Sequence, residues 1–371
     1  DLGNRAEKRI VNMVQIGRAL ADNIGDDGAQ LDPPIKTLFV YNSDIANCTP
    51  NSGNVRKRMM RDDLFITVHE TFWTDSCMYA DIILPADTAL ERTDCHWAYG
   101  SWFLGINKPV IEPLGESINN TELFRMLADK MGYVDSTDNA FTQTDEEIIK
   151  DILLEAENED GERFNCLTEG IDYDDVVKNG WARASTGSKR RDFLKNGWPT
   201  PSGKIEIKCE AITAEYPDVS PFPEYVPEIN GQYDPNKEKF PIQVLSSASH
   251  YFIGDSFQSV PRLQAMQSRP TVEISLGDAK ARGIEDGDLV RLYNDNGETY
   301  CYAVLIEGLL DGVCATQKQF KGSNTPGGLN VNNLNSEMLT DFGKSPTFYS
   351  VLVEIEKASE EMTKKAIKQG V

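Results

Sequence analysis

The feature that most constrains the fold is the stretch at residues 65–94, FITVHETFWTDSCMYADIILPADTALERTD. It begins with an apolar run typical of a buried strand and continues into a turn rich in hydrogen-bond donors and acceptors. A second short apolar run follows, with carboxylates at its edges. Such a polar turn suits the carboxyl end of a strand in a parallel sheet, where α/β proteins bind large polar cofactors. The stretch therefore predicts an α/β fold with a ligand site at this turn.

Strands that alternate with helices extend this prediction along the first third of the chain. Short apolar runs predict strands at residues 37–41, 64–68 and 81–84. Apolar residues at helical spacing predict helices at residues 7–24, stopped by Gly25, at residues 54–61, and at residues 120–131, capped by Asn119 or Asn120 and ended by Gly132. Strands alternating with helices predict a parallel, doubly wound sheet.

The second half of the chain predicts a small barrel. We interpret residues 136–198 as an acidic helical insertion or linker, in which Thr144 and Glu147 form a capping box. A loop rich in Pro and Gly at residues 199–203 then marks a boundary, and residues 204–207 alternate like a strand. From Phe240 onward, closely spaced strand patterns and an Asn-Gly hairpin turn favour a small closed barrel. The predicted domains are an α/β domain at 1–135, the insertion at 136–198 and the barrel at 199–371.

Length, charge and cysteine usage exclude several classes of protein. The 371 residues are enough for two or three domains. A net charge of −22 argues against a nucleic-acid partner, because binding phosphates needs clustered Lys and Arg. No apolar run is long enough to predict direct membrane insertion. The cysteines never form Cys-x-x-Cys and the histidines are dispersed, so neither predicts a metal site. Because the chain begins at Asp1, we expect a piece of a longer protein.

The segment at residues 65–94 resembles the molybdopterin oxidoreductases of the dimethyl-sulfoxide-reductase type. That family has a strand, an acidic residue, a Thr-x-Thr-like turn, Ala-Asp-hydrophobic-hydrophobic-Leu-Pro and then Glu. The corresponding residues here are Glu70, Thr74, Ser76, residues 80–85 and Glu91. Residues 271–297, with Gly-Ile-Glu-Asp-Gly-Asp at 283–288, resemble the family's molybdopterin-dinucleotide-binding domain, which is a double-psi β-barrel. The resemblance extends from near Thr37 to near Ala358.

The resemblance implies a cofactor and a class of reaction. Family members bind molybdenum or tungsten between two pyranopterin guanine dinucleotides, and the parent enzyme is expected to perform two-electron oxo transfer on a small oxyanion, S-oxide or N-oxide. A 4Fe–4S cluster and the metal ligand would belong to parts of the family's longer chains that have no match here. We therefore expect no catalytic or metal-ligating residue in this chain, and no activity from it alone. The implied partners are a small-molecule substrate, the rest of the parent chain and an iron–sulfur electron-transfer subunit.

The resemblance also nominates cofactor-binding residues, which lie in polar stretches after predicted strands. Asn42 corresponds to the Asn of the family's Gly-Asn-Pro-like turn, and residues 246–258 resemble the loop around its second pterin. Asp81 has an alternative role as a loop anchor that accepts backbone N–H bonds. The full set is Asn42, Glu70, Thr74, Ser76, Asp81, Ser247, Ser249, His250, Asp255, Ser256 and Asn332.

The sequence also offers candidates for a substrate funnel and leaves two alternative functions open. His96, Trp97 and Tyr99 are candidates for lining a substrate funnel, with ordinary aromatic packing as the alternative. A tungsten-dependent hydratase would keep the fold and cofactor but perform no net redox reaction. A non-catalytic structural subunit would keep the fold alone, and the polar loops argue against it. The sequence leaves the substrate, the choice of Mo or W, the compartment and the oligomeric state open.

Overall fold

The computed structural model describes residues 10–25, 28–133, 141–153, 156–157, 163–164, 171–183, 197–198 and 200–369. These residues form two compact units. One unit contains Pro85–Val226, and the other joins the described residues up to Leu84 to those from Pro227 onward. The first α/β segment and the barrel therefore belong to the same unit. The three-part division expected from the sequence stays a prediction.

The α/β segment is built on a small sheet with the predicted parallel pairing. Strand β1 (Thr37–Tyr41) pairs in parallel with β2 (Phe65–Glu70), and β3 (Ile82–Pro85) lies on the other side of β2. The helices of this segment are α1 (Ile16–Asp22), α2 (Ile45–Cys48) and α3 (Ser52–Met59). They bury an apolar core together with the sheet, in which the central side chains are Leu20, Val40, Val55, Ile66 and Val68. The prediction of an α/β fold with a parallel sheet is confirmed.

The first helix is shorter than its periodicity predicts. A 3₁₀ turn at Met13–Gln15, capped by the side chain of Asn12, precedes α1. The helix ends at Asn23, whose φ of 53° is left-handed, so Gly25 is not the stop. Asn tolerates this conformation better than most residues, because its short polar side chain can bond locally. Residues 7–9 of the predicted helix lie outside the described residues.

The chain from Ile242 onward forms a closed six-stranded barrel. Its strands are β9 (Ile242–Ser247), β10 (Thr271–Ser275), β11 (Leu289–Tyr293), β12 (Glu298–Ile306), β13 (Val313–Gln317) and β14 (Leu352–Lys357), in the order β10-β12-β11-β14-β9-β13. The pairs β10–β12 and β9–β13 are parallel, and the others are antiparallel. Alternate side chains fill the interior, among them Ile242, Val272, Val290 and Ile355. The predicted small closed barrel is confirmed.

Local sequence signals determine two connections of the barrel. In the hairpin between β11 and β12, Oδ1 of Asn294 accepts hydrogen bonds from the N–H groups of Asn296 and Gly297. A Cβ at Gly297 would lie 3.0 Å from the carbonyl oxygen of Asn333, so close approach requires glycine there. The oxygen of Ser275 caps the short helix between β10 and β11.

The unit that contains Pro85–Val226 has a separate core. Strands β4 (Asp94–Trp97), β5 (Phe103–Asn107) and β8 (Trp181–Arg183) form an antiparallel sheet, and β6 (Ala156–Glu157) pairs with β7 (Arg163–Phe164). The helices among the described residues of this unit are α4 (Asn120–Met131), α5 (Asp145–Leu153), α6 (Tyr173–Asn179) and α7 (Glu210–Glu215). Apolar side chains from β5, α5 and α6 pack together. In the other unit, the described residues also form helices α8 (Pro261–Met266), α9 (Leu276–Arg282) and α10 (Glu360–Gln369).

Predictions in this unit have mixed outcomes. Helix α4 has the predicted bounds, with Asn119 as its cap and Gly132 left-handed at its end. The capping box is confirmed, since Thr144 and Glu147 exchange hydrogen bonds. The strand predicted at residues 204–207 is wrong, because no strand among the described residues pairs with this stretch and its isoleucines face solvent. Among the described residues, no helix combines the length and apolar character needed to cross a membrane.

Candidate functional site

A cavity of about 360 Å³ lies in the unit formed by the α/β segment and the barrel. The loops after β1 and β2 form one wall, and the loops after β9 and β13 form the other. Its polar lining includes the carboxylates of Asp44, Glu70 and Asp255, and the ammonium group of Lys321. The aromatic side chains that line it are Phe72, Trp73 and Phe257.

The parallel register of β1 and β2 builds the first wall. Because Tyr41 pairs with His69, the residues that follow, Asn42 and Glu70, come at the same edge of the sheet. Asn42 has a φ of 55°, which turns the chain sharply at the end of β1. The Glu70 carboxylate accepts a hydrogen bond from the N–H of Thr71 at 2.9 Å. Both residues line the cavity.

A buried carboxylate holds the turn that follows β2. Asp44 accepts hydrogen bonds from the N–H groups of Asp75 (3.2 Å) and Ser76 (2.9 Å) and from the hydroxyl of Ser76 (2.6 Å). Burial raises the pKa of Asp44, and the bonds from Ser76 oppose that shift. Thr74 stands at the start of this 3₁₀ turn and lines the cavity. The loop after β1 thereby fixes the loop after β2.

Asp255 presents a carboxylate from the barrel side. Its Oδ1 accepts a hydrogen bond from Nδ2 of Asn47 at 2.8 Å. Desolvation raises the pKa of Asp255 to about 7, and the charges of Asp44 and Asp75 add to the rise. Lys321 and Asn47 act in the opposite direction. The cavity wall therefore carries a carboxyl group that ionises near neutral pH, and a hydrogen-bond donor would stabilise its ionised form.

Buried polar contacts connect the α/β segment to the barrel. Arg56 donates to the carbonyl oxygens of Ala46 (2.7 Å) and Gly328 (2.7 Å) and to Oδ2 of Asp75 (2.8 Å). Asp75 also accepts a hydrogen bond from a barrel backbone N–H, and Asn330 and Asn332 donate to Asn47. We call this group the polar joint, and its members are Asn47, Arg56, Asp75, Asn330 and Asn332.

The structure brings some of the predicted cofactor-binding residues together and places the others elsewhere. The residues at the cavity are Asn42, Glu70, Thr74, Asp255 and Ser256. Ser76 is buried against Asp44, and Asn332 belongs to the polar joint. Asp81 accepts a hydrogen bond from the N–H of Ile66 at 2.7 Å, which is the contact expected of a loop anchor.

The remaining predicted residues lie beside the cavity loop or in the other unit. Ser247 points to the carbonyl oxygen of Thr316 at 3.4 Å, Ser249 donates to Gln267 at 2.5 Å, and His250 is exposed with its ring edge-on to Tyr251. His96 and Trp97 lie on β4, and Tyr99 follows them in full exposure to solvent. The funnel assigned to these aromatic residues stays a prediction.

Several residues of the site were missed at the level of sequence. Asp44 directly follows Asn42 and Ser43, so the polar loop after β1 was a usable signal. Asn47 and Asn330 lie 283 positions apart, and neither has a local pattern that predicts their contact. Lys321 follows a barrel strand and donates to the carbonyl oxygen of Trp73 at 2.7 Å. Among the described residues, no group of three or more His, Cys, Asp or Glu side chains is arranged to hold a metal ion.

Comparisons with known families cover both walls of the cavity. Residues 23–130 match the molybdopterin oxidoreductase family, and residues 242–352 match the molybdopterin dinucleotide-binding domain. The chain belongs to the molybdopterin oxidoreductases. Its dinucleotide-binding domain contributes Asp255 and Lys321 to the cavity, and its oxidoreductase segment contributes Asp44 and Glu70.

Three similar proteins are about twice as long as this chain. A probable oxidoreductase of Bacillus subtilis, YoaE, is 34% identical over 96% of this chain and 48% of its own length. The dimethyl sulfoxide reductase DmsA of Escherichia coli is 28% identical over 91% of this chain and 44% of its own length. The acetylene hydratase of Pelobacter acetylenicus superposes with a TM-score of 0.70 at 18% identity, over 93% of this chain and 46% of that one, which shows the fold alone. The chain thus spans about half the length of these proteins.

Proposed function

We propose that this chain is the cofactor-binding part of a molybdenum or tungsten oxidoreductase, and that its cavity holds a guanine nucleotide portion of a bis(molybdopterin guanine dinucleotide). One observation carries the proposal. The family-matched α/β loops and the dinucleotide-binding domain meet around one polar cavity of about 360 Å³. We further propose that the six-stranded barrel is a double-psi barrel and that residues 136–198 are an insertion.

The chemistry of the lining fits this group. Guanine presents ring and amino N–H donors, which carboxylates such as Glu70 and Asp255 accept in charge-assisted hydrogen bonds. Trp73 offers an aromatic face for stacking, and Lys321 can neutralise part of a phosphate charge. The bound cofactor would supply two-electron chemistry at its metal, while this chain binds and orients it. The lining has more hydrogen-bond acceptors than cationic groups, so it suits the guanine base better than the negatively charged pyrophosphate.

The reaction of the whole protein is a further proposal. We propose oxo transfer on a small S-oxide, N-oxide or oxyanion, and the support is a relative named as a dimethyl sulfoxide reductase. The fold shared with acetylene hydratase keeps a non-redox hydratase as a second candidate. Turnover with an artificial electron donor, such as reduced viologen, separates the two. Reduction of an S-oxide or N-oxide supports the first candidate, and hydration without electron consumption supports the second.

The cofactor is tested on the purified full-length protein from a host that makes molybdopterin. We expect molybdenum or tungsten by elemental analysis, a fluorescent oxidised pterin after acid release, and guanosine monophosphate (GMP) in equal amount to the pterin. The same protein from a host that cannot make molybdopterin is the control and should contain none of these. Protein from the competent host that lacks all three would refute the proposal and favour a structural subunit.

A further inference from the structure

A short loop at the cavity rim lies between two buried side chains. Phe252 is buried and packs edge-on against Phe320, with the ring centroids 6.1 Å apart. Gln258 is buried at the other end of the loop. All five residues between them, 253–257, line the cavity. We call residues 253–257 the flap.

Gln258 connects the base of the flap to the loop after β13. Its Nε2 donates hydrogen bonds to the carbonyl oxygens of Gly254 (2.8 Å) and Gln319 (2.7 Å). Its Oε1 accepts a hydrogen bond from the N–H of Lys321 at 2.6 Å. The orientation of the amide follows from these partners, because Nε2 faces two carbonyl oxygens and Oε1 faces an N–H. Both polar atoms of this buried side chain thus hold the flap to residues 319–321.

The opposite rim of the cavity is attached to the same segment. Nζ of Lys321 donates a hydrogen bond to the carbonyl oxygen of Trp73, in the loop after β2, at 2.7 Å. Residues 319–321 therefore support the base of the flap on one side of the mouth and the loop that carries Trp73 on the other.

The flap backbone turns at two residues in the left-handed region. Gly254 has a φ of 59°, which glycine adopts without steric cost. Phe257 has a φ of 70°, and a bulky residue in this region is an outlier that persists only where the surroundings enforce it. Such residues cluster at ligand clamps and switch regions. Between the two turns, a β-bridge joins Ile253 to Ser256.

Apolar side chains face solvent on both sides of the cavity mouth. Ile253 and Phe257 on the flap, and Phe72 and Trp73 on the opposite rim, are between 46% and 74% exposed. All four residues line the cavity. Bringing the two sides together would remove apolar surface from water, which is favourable. The structure therefore has an open mouth whose two sides are stabilised by approaching each other.

We propose that the flap closes over the cavity after a ligand has entered and slows its release, and that Gln258 is the positioning residue that anchors the flap. Closure brings Phe257 toward Trp73. The inference rests on the proposed function, because it takes the ligand to be the nucleotide portion of the cofactor. Since the mouth is open before binding, closure slows release and leaves the rate of entry unchanged.

The test follows GMP binding to full-length protein from a host that cannot make molybdopterin. Stopped-flow tryptophan fluorescence is the readout, because Trp73 lies on the rim that the flap approaches. We expect a first phase whose rate rises in proportion to the GMP concentration and a slower second phase whose rate reaches a limit, which reports closure. Hydrogen exchange of peptides covering residues 252–258 should slow when GMP is bound.

Two variants with matched controls separate closure from ligand contact and from folding. Phe257→Ala removes the ring that approaches Trp73, so it should lose the slow phase and release GMP about tenfold faster, with entry within about twofold of the wild type. Gln258→Met removes the anchor and should accelerate release by a similar factor, although Gln258 is not among the residues that line the cavity. Phe222→Ala, at another exposed phenylalanine, and Gln264→Met, on α8, are the controls and should behave like the wild type.

The outcomes distinguish the flap from the function on which it rests. If the wild type binds GMP in a single phase, and the flap peptides exchange equally fast with and without GMP, the flap is wrong while the nucleotide site stands. Release at the wild-type rate from both variants would overturn it as well. If the wild type binds no GMP, the proposed nucleotide site is wrong and the inference falls with it. Phe257→Ala decides alone if Gln258→Met does not fold, because the Phe257 ring is exposed and contributes little to folding.

Discussion

Replacing Arg56 with Met tests whether the polar joint stabilises the unit that carries the cavity. The side chain of Arg56 is 11% exposed, and that of its ion-pair partner Asp75 is 1% exposed. Besides the ion pair at 2.8 Å, Arg56 satisfies the carbonyl oxygens of Ala46 and Gly328. Met has a similar length and fills much of the same space, so the change removes the charge and the hydrogen bonds more than the packing.

The expected cost follows from what the substitution leaves behind. Asp75 would keep a buried charge without its cation, and its Oδ1 already has no hydrogen-bond partner. Removing one member of a buried ion pair costs about 3–5 kcal/mol, mostly because the other member stays buried and unpaired. The variant Arg56→Met with Asp75→Asn leaves a neutral amide instead, so it should recover part of this loss. Lys36→Met is the matched control, because the ion pair between Lys36 and Asp63 is about half exposed.

Hydrogen exchange followed by mass spectrometry measures the effect in the full-length protein, whose several domains make a global unfolding curve hard to interpret. A loss of about 3–5 kcal/mol corresponds to exchange that is roughly a hundredfold to several thousandfold faster. We expect this acceleration in peptides covering α3 and Val331–Leu334, with Lys36→Met close to the wild type. Peptides of α4 serve as an internal reference. Exchange in α3 within about threefold of the wild type would refute the reasoning.

Three further predictions concern single positions. Gly322→Ala places a Cβ 2.6 Å from the carbonyl oxygen of Gly328, so hydrogen exchange should show a loss of about 1–3 kcal/mol. Gly343→Ala should show almost none, because its Cβ would come no closer than 3.4 Å to a neighbouring atom. Asn119→Ala removes the cap of α4 and a hydrogen bond to Asp145 at the start of α5, so it should destabilise the first turns of these two helices by about 1 kcal/mol, visible as faster exchange there. Desolvation raises the pKa of Asp255 to about 7, so the unit that carries the cavity should lose stability in the cofactor-free protein as the pH rises from about 4 to about 7. Asp255→Asn should reduce this loss, measured as the protection of α3 against hydrogen exchange at each pH. An equal change of protection with pH in the two proteins would contradict the raised pKa.

The sequence predicts helices and strands well where the residues that determine them lie within the element itself. Helix α4 has a cap at Asn119 and a left-handed glycine at its end, and both signals lie within the helix's own residues. The barrel strands alternate because one face of each is buried. Residues 204–207 show the limit of this reasoning. Their apolar and polar residues alternate equally well, but no strand in the part of the chain that the structure describes pairs with them, and pairing is not a local property.

The candidate site is predictable only in part for the same reason. The resemblance nominates Asn42 and Glu70, and the two residues lie at one edge of the sheet because the ends of neighbouring parallel strands meet there. Ser247 and Ser249 are small polar residues of the kind found in binding loops, but their hydroxyl groups contact Thr316 and Gln267. Nothing in a run of small polar residues says which of them face a cavity, because that depends on contacts made by distant parts of the chain.

The polar character of the joint explains how two distant segments can form one defined cavity. An apolar contact between the α/β segment and the barrel would bury area in many nearly equivalent alignments, because the hydrophobic effect has no direction. Hydrogen bonds are directional, and a buried polar group left unpaired is costly. A shift of the barrel against Asn47 or Arg56 would break several such bonds at once. The joint therefore sets the distance between Glu70 on one wall and Asp255 on the other, which is the dimension that a bound base would have to match.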